Sequence, residues 1–98
     1  MIHEDERRIL EDWPEAKIIT AKKGCTLGDH YHKIKTEKFI LVSGIASVSI
    51  NKSQFQPMDK GEMITIYPGQ RHQFDLAIGS VLIGLCSHPY DPTDDYRD

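Results

Sequence analysis

The sequence contains no apolar run long enough to span a bilayer, and its first ten residues are too charged to form the core of a secretory signal. A cytoplasmic protein with no membrane partner is the expectation. Basic clusters are also missing: the twelve Lys and Arg are scattered, and fifteen Asp and Glu bring the formal net charge to -3. Nucleic-acid binding therefore has little electrostatic support. The local concentrations of charge are acidic, at residues 3–12 and 91–98, and both read as solvated termini. Cysteine is scarce. Cys25 and Cys86 lie far apart without a CxxC spacing, so reduced thiols packed as small hydrophobes are expected instead of a disulfide. With 98 residues, the chain is read as one domain (1–98), with no room for a separate cofactor-binding half. So small a domain buries a modest share of its surface, which favours a homodimer.

After Trp13 no long stretch has helical period, and there is neither an internal repeat nor a low-complexity segment. Short segments rich in β-branched or aromatic residues occupy positions 17–21, 29–32, 38–43, 45–50, 54–56, 63–66, 72–76 and 80–86. Turn signals separate them at Lys23–Gly24, Gly44, Asn51–Lys52, 59–61, Pro68–Gly69 and Gly79. That spacing reads as an all-β, antiparallel sandwich or small barrel over residues 16–88. Residues 1–15 read as a short N-terminal helix or arm, stopped by Pro14 and anchored by Trp13, and residues 89–98 as an irregular tail.

Chemistry concentrates in residues 24–44, GCTLGDHYHKIKTEKFILVSG. Strand side chains alternate, so His30 and His32 share one face while Tyr31 takes the other. Glu37 shares a face with Phe39 and Leu41 at the start of the next segment. His72 opens a later one, with Phe74 and Leu76 on its own face. Three imidazoles and a carboxylate make a candidate site for a divalent transition metal, with Zn, Fe, Mn, Ni and Co all suited to the donors. The other reading is a metal-free polar pocket.

Gly24, His30, His32, Glu37 and Gly44 stand at the spacing Gly, five residues, His-x-His, four residues, Glu, six residues, Gly. With Gly61, Gly69 and His72 in a second motif, the chain resembles the cupin superfamily. In that second motif Tyr67 replaces a Pro and Leu76 an Asn. The resemblance implies a jelly-roll β-barrel with His30, His32, Glu37 and His72 as metal ligands.

More narrowly, HYHKIKTEKFILVSG is similar to cupins that act on sugars, including the C-terminal cupin of capsule-biosynthesis nucleotide-sugar enzymes. Small nucleotide-sugar ketoisomerases are similar in fold, but they carry an Arg where Leu27 stands and usually lack the Glu. Two mechanisms stay open: metal-assisted enolisation, or metal-free histidine chemistry with Glu37 as an orienting partner.

The leading expectation is an isomerase or epimerase of a sugar nucleotide or sugar phosphate. Such an enzyme needs a base and a group to hold an oxyanion. His30, His72, Glu37 and Tyr67 are the catalytic candidates, and Arg71, Lys33 and Lys35 are the candidates to meet a phosphate. Cys25, near the ligands in sequence, invites comparison with non-haem Fe(II) dioxygenases of small thiols. A non-catalytic small-molecule-binding module is the third reading.

Overall fold

The computed structural model describes residues 2–13 and 15–98; Pro14, the expected helix stop, lies outside the described residues. The chain forms β1 (Ile2–Glu4), β2 (Arg8–Trp13), β3 (Ala16–Ala21), β4 (Cys25–His30), β5 (Glu37–Ser43), β6 (Ala46–Ile50), β7 (Gln56–Pro57), β8 (Met63–Ile66), β9 (His72–Leu76) and β10 (Val81–Cys86). A 3-10 turn follows at Pro92–Asp94. Among the described residues no helix is long and apolar enough to cross a membrane.

Two antiparallel sheets result, one ordered β1-β2-β3-β10-β5-β8 and the other β4-β9-β6-β7. Leaving aside β1 and β2, strands β3 to β10 place their first, eighth, third and sixth members in one sheet and their second, seventh, fourth and fifth in the other. This interleaving is the double Greek key of a jelly roll, as the cupin resemblance implies.

The N-terminal segment is not a helix. Asp5 makes a turn by accepting from the N–H groups of Arg7 (2.7 Å) and Arg8 (2.9 Å), and β1 and β2 pair across it with His3 opposite Leu10. β2 then pairs with β3 from Arg8–Ala21 to Trp13–Ala16, so the hairpin widens the larger sheet. The Asp5 side chain closes the turn, and pairing of β2 with β3 along its whole length holds the segment extended instead of helical. Leu10, opposite Ile19, packs against the core. Trp13 does not act as the anchor: it is 58% exposed, and its indole N–H donates to Glu11 Oε2 at 2.8 Å.

Period-two alternation fills the barrel. Glu37, Phe39 and Leu41 of β5 are buried, as are His72, Phe74 and Leu76 of β9. Phe39 and Phe74 meet across the sheets with ring centroids 4.6 Å apart. Glu37 and His72 each begin their strand, so both stand at the same end of the barrel above that aromatic floor. The β4 ladder is irregular. Gly28 (φ +95°) and Asp29 (φ +65°) shift its register against β9, and the strand stops at His30 instead of continuing to His32.

Gly44 turns β5 into β6 at φ +90°, and a Cβ there would lie 2.4 Å from Ser80 Oγ and 2.6 Å from Ser80 Cα. Ser80 is tied to Ile45 through both main-chain groups, so it cannot retreat. Gly44→Ala is expected to destabilise the fold by about 2–4 kcal/mol, from backbone strain plus overpacking. Urea unfolding would check this; an unchanged midpoint would show that the turn relaxes.

Candidate metal centre

The four residues singled out as ligands converge. One donor atom from each of His30, His32, Glu37 and His72 lies within 4.8 Å of the others. Glu37 is fully buried, and its two oxygens serve different neighbours. Oε1 is 3.1 Å from His32 Nε2 and 3.5 Å from His72 Nε2. Oε2 is 3.1 Å from Lys17 Nζ, 3.9 Å from Lys35 Nζ and 3.6 Å from Cys86 Sγ. His30 Nε2 is 3.1 Å from His72 Nε2.

His32 makes the strongest case for a cation. Its Nδ1 faces the main-chain carbonyl of Asp94, which can only accept, so Nδ1 carries the proton and Nε2 presents a lone pair. That lone pair faces Glu37 Oε1, itself an acceptor. Neither atom has a hydrogen-bond partner among the described residues; the 3.1 Å contact between them is electrostatic and lacks hydrogen-bond alignment. Two buried acceptors left unpaired and aimed together are costly, and a cation between them removes the cost.

The protonation states agree with this. Burial, reinforced by the neighbouring His72, pushes His30 down to about 3. Burial likewise pushes His72 down to about 4, against the opposing pull of Glu37. For Glu37 burial acts upward, but the positive charges of Lys17 and Lys35 beside it help hold the carboxyl well below the usual carboxylate range. Neutral imidazoles and an ionised carboxylate are the forms that bind a metal.

Beside the cluster lies a cavity of about 370 Å³, lined in part by the β1–β2 hairpin. His30 opens onto it, along with Arg8, Lys17, Lys35 and Arg97, the aromatic rings of Trp13 and Tyr90, and the carboxylates of Asp12 and Asp95. Lys35 is buried, not a solvated surface charge. Lys17 reaches Glu37 across Gly84, its register partner on β10; a Cβ at position 84 would sit 3.0 Å from Lys17 Cε and 2.8 Å from Phe39 Cε1. A readable signal for Lys17 existed: it is in phase with the inward Ile19 and Ala21.

The other candidates stand elsewhere. Tyr67 is 60% exposed on the 67–70 turn and does not line the cavity. Arg71 donates to Asp29 Oδ1 (2.8 Å), to the Asp29 carbonyl (3.0 Å) and to the carbonyls of Arg97 (3.1 Å) and Asp98 (2.7 Å), so its guanidinium holds loops together. Lys33 is exposed, with Nζ 4.4 Å from the Tyr96 ring centroid. Cys25 and Cys86 are free thiols, as expected. Cys25 is five residues from His30 along β4, about 16 Å at strand rise, and packs against the core. The oxygenase comparison thereby loses the residue that invited it. Cys86 is the thiol at the site, and burial raises its pKa.

The family described as polysaccharide biosynthesis C-terminal domain matches residues 7–75. The chain belongs to that family. Among solved structures, the capsular polysaccharide assembling protein CapF from Staphylococcus aureus is 26% identical with a TM-score of 0.82, covering 98% of this chain and 31% of CapF. This chain thus spans about a third of the length of CapF. The sugar 3,4-ketoisomerase QdtA from Thermoanaerobacterium thermosaccharolyticum, solved with TDP, is 26% identical with a TM-score of 0.72, covering 85% of this chain and 65% of QdtA. KdgF from Halomonas sp., at 14% identity and a TM-score of 0.78 over 95% of this chain and 89% of its own, shares the fold. Comparison with the sequences of curated proteins gives no match. With the jelly-roll topology, these matches bear out the cupin resemblance of this chain.

In the metal-free chain the two depressed imidazoles make stability depend on pH. Unfolded, each binds a proton below its ordinary value of 6.5; folded, they stay neutral down to about 4 and about 3. The unfolded state therefore holds more protons in that interval, and stability falls as pH drops from 7 towards 4. The slope is up to about 1.4 kcal/mol per pH unit for each imidazole. Glu37, held low when folded, adds to the loss only below its ordinary value of 4.5. Urea midpoints of chelator-treated protein should decline from pH 7 to 5; a flat profile would contradict the buried neutral histidines.

Proposed function

We propose that this cupin is a metal-dependent isomerase or epimerase that removes a proton next to the carbonyl of a sugar nucleotide or sugar phosphate. One observation carries the reading: the facing, unpartnered His32 Nε2 and Glu37 Oε1 lie beside a cavity walled by Arg8, Lys17, Lys35 and Arg97. Clustered cations suit a phosphate or diphosphate, and Trp13 and Tyr90 suit a sugar or base ring. The similarity to a capsular polysaccharide assembling protein and to a sugar 3,4-ketoisomerase bound to TDP supports the same substrate class.

Residues of the chain divide the work. His32, Glu37 and His72 hold a divalent transition metal, with His30 as the fourth donor. When bound, such an ion supplies Lewis-acid stabilisation of an enolate oxygen. His30 opens onto the cavity in neutral form, and the Asp95 carboxylate beside its Nδ1, which also lines the cavity, is the proposed proton acceptor. Lys17 and Lys35 hold Glu37 ionised from one side and present positive charge to the substrate from the other. The proposal includes a homodimer in the cytoplasm, because so small a domain leaves much of its surface to cover.

Metal analysis of untreated protein, then incubation with nucleotide sugars and sugar phosphates in deuterated water, tests the reading. Deuterium is expected next to the substrate carbonyl and should disappear after chelation or in Glu37→Gln. Lys17→Met is expected to raise KM for a phosphorylated substrate about 10- to 100-fold, the loss of one charge-assisted hydrogen bond. No exchange from any such substrate in metal-replete protein would end the isomerase reading.

A further inference from the structure

The acidic C-terminal segment, expected to be a solvated tail, is folded across the mouth of the barrel. Three successive residues before the ligand loop meet it: His30 faces Asp95, Tyr31 pairs with Tyr96 in an antiparallel bridge, and His32 faces Asp94. Tyr31 and Tyr96 exchange both main-chain hydrogen bonds at 3.0 Å, and their rings stack with centroids 5.2 Å apart. The Asp94 carboxylate is buried and accepts from the N–H groups of Lys33 (2.8 Å), Ile34 (3.2 Å) and Lys35 (3.3 Å), which pins the loop between His32 and Glu37. Arg71 clamps the end of the segment through the carbonyls of Arg97 and Asp98. Asp91 caps the 3-10 turn at its start, accepting from Thr93 N at 2.9 Å.

We infer that residues 91–98 are a strap that orients the metal site: the Asp95 carboxylate and the Asp94 carbonyl fix His30 and His32 with Nδ1 protonated and Nε2 turned inward, so that metal binding and strap docking reinforce one another. A neutral imidazole has one N–H, and the group facing one nitrogen decides which of the two is free to bind. Asp95 Oδ1 lies 3.1 Å from His30 Nδ1 and is buried without a hydrogen-bond partner among the described residues, so a proton on Nδ1, with a small turn of the ring, would satisfy it. Arg97 Nη2, 3.3 Å from the same nitrogen, can only donate and so competes for its lone pair, but that side chain is exposed and also reaches Asp95 Oδ2 at 3.4 Å. The strap therefore acts through the histidines as a positioning element, with the carboxylate of Asp95 as its acceptor beside a ligand ring. Linkage requires the reverse as well: whatever metal binding contributes to orienting His30 and His32, it contributes to holding the strap down.

This inference rests on the metal reading of the site, and the test separates the two. Zn²⁺ affinity is measured by competition with a chromophoric chelator for the unaltered chain, Asp95→Ala and Asp95→Asn. Long-range proton–nitrogen NMR of the metal-free proteins reads the tautomers directly. Asp95→Ala is expected to weaken Zn²⁺ binding about 10- to 100-fold and to release His30 from the Nδ1–H form, while Asp95→Asn, which keeps an acceptor oxygen, recovers part of both. Zn²⁺ should also slow amide exchange at Tyr31 and Tyr96. Equal Zn²⁺ affinity in all three proteins, or a His30 tautomer indifferent to Asp95→Ala, would overturn the strap's role. Failure of the unaltered chain to take up Zn²⁺ would instead overturn the metal reading, and with it the coupling, while the tautomers would still decide what orients the rings.

Discussion

A carboxylate with no exposed surface must be matched on both of its oxygens, and the way Glu37 meets that demand organises the molecule. Oε2 is answered by Lys17 and Lys35, which brings a strand of the larger sheet and the ligand loop to one point. Oε1 is left to the imidazoles, none of which donates a hydrogen bond to it. The glycine at position 84 exists in this arrangement as a gap through which the Lys17 stem and the Phe39 ring both pass. Replacing any of these groups changes the charge on an atom that cannot reach water, which is why the cluster has to be considered as a unit.

The same economy explains the division between floor and mouth. Below the cluster, Phe39, Phe74, Leu41 and Leu76 close the barrel with apolar packing. Above it, the wall is polar and contributed by residues far apart in sequence: the hairpin, the loop before β5 and the end of the chain. Low polarity beneath keeps the histidines neutral, and positive charge beside keeps the carboxylate ionised. Those two conditions suit metal binding and an anionic substrate together.

Much of this was legible because barrel strands impose a period of two. Glu37, Phe39 and Leu41, and His72, Phe74 and Leu76, face the interior as alternation predicts, and the spacing of Gly24, His30, His32, Glu37 and Gly44 marks the cupin. His30 and His32 both reach Glu37 and His72, for a reason that alternation did not supply. His32 lies beyond the end of β4, past a register shift at Gly28 and Asp29, and it is the Asp94 carbonyl that turns its ring inward. The hairpin was missed because the Asp5 side chain accepting two main-chain N–H groups and the pairing of β2 with β3 are contacts that periodicity does not register. Lys35, a candidate to meet a phosphate, is buried beside the Glu37 carboxylate, a counter-charge that no local pattern announces.

By itself, then, the sequence determined an all-β cupin, the four converging donors and the apolar floor beneath them, since each follows from spacing and alternation along single strands. Tertiary structure alone decided what surrounds those donors: Lys17 from β3, the cationic cavity against the β1–β2 hairpin, and the segment from Asp91 to Asp98 laid across His30 and His32. These contacts join residues separated by twenty to more than sixty positions. No local pattern encodes such pairings; they arise only when buried charges and unpaired main-chain groups find one another as the barrel closes.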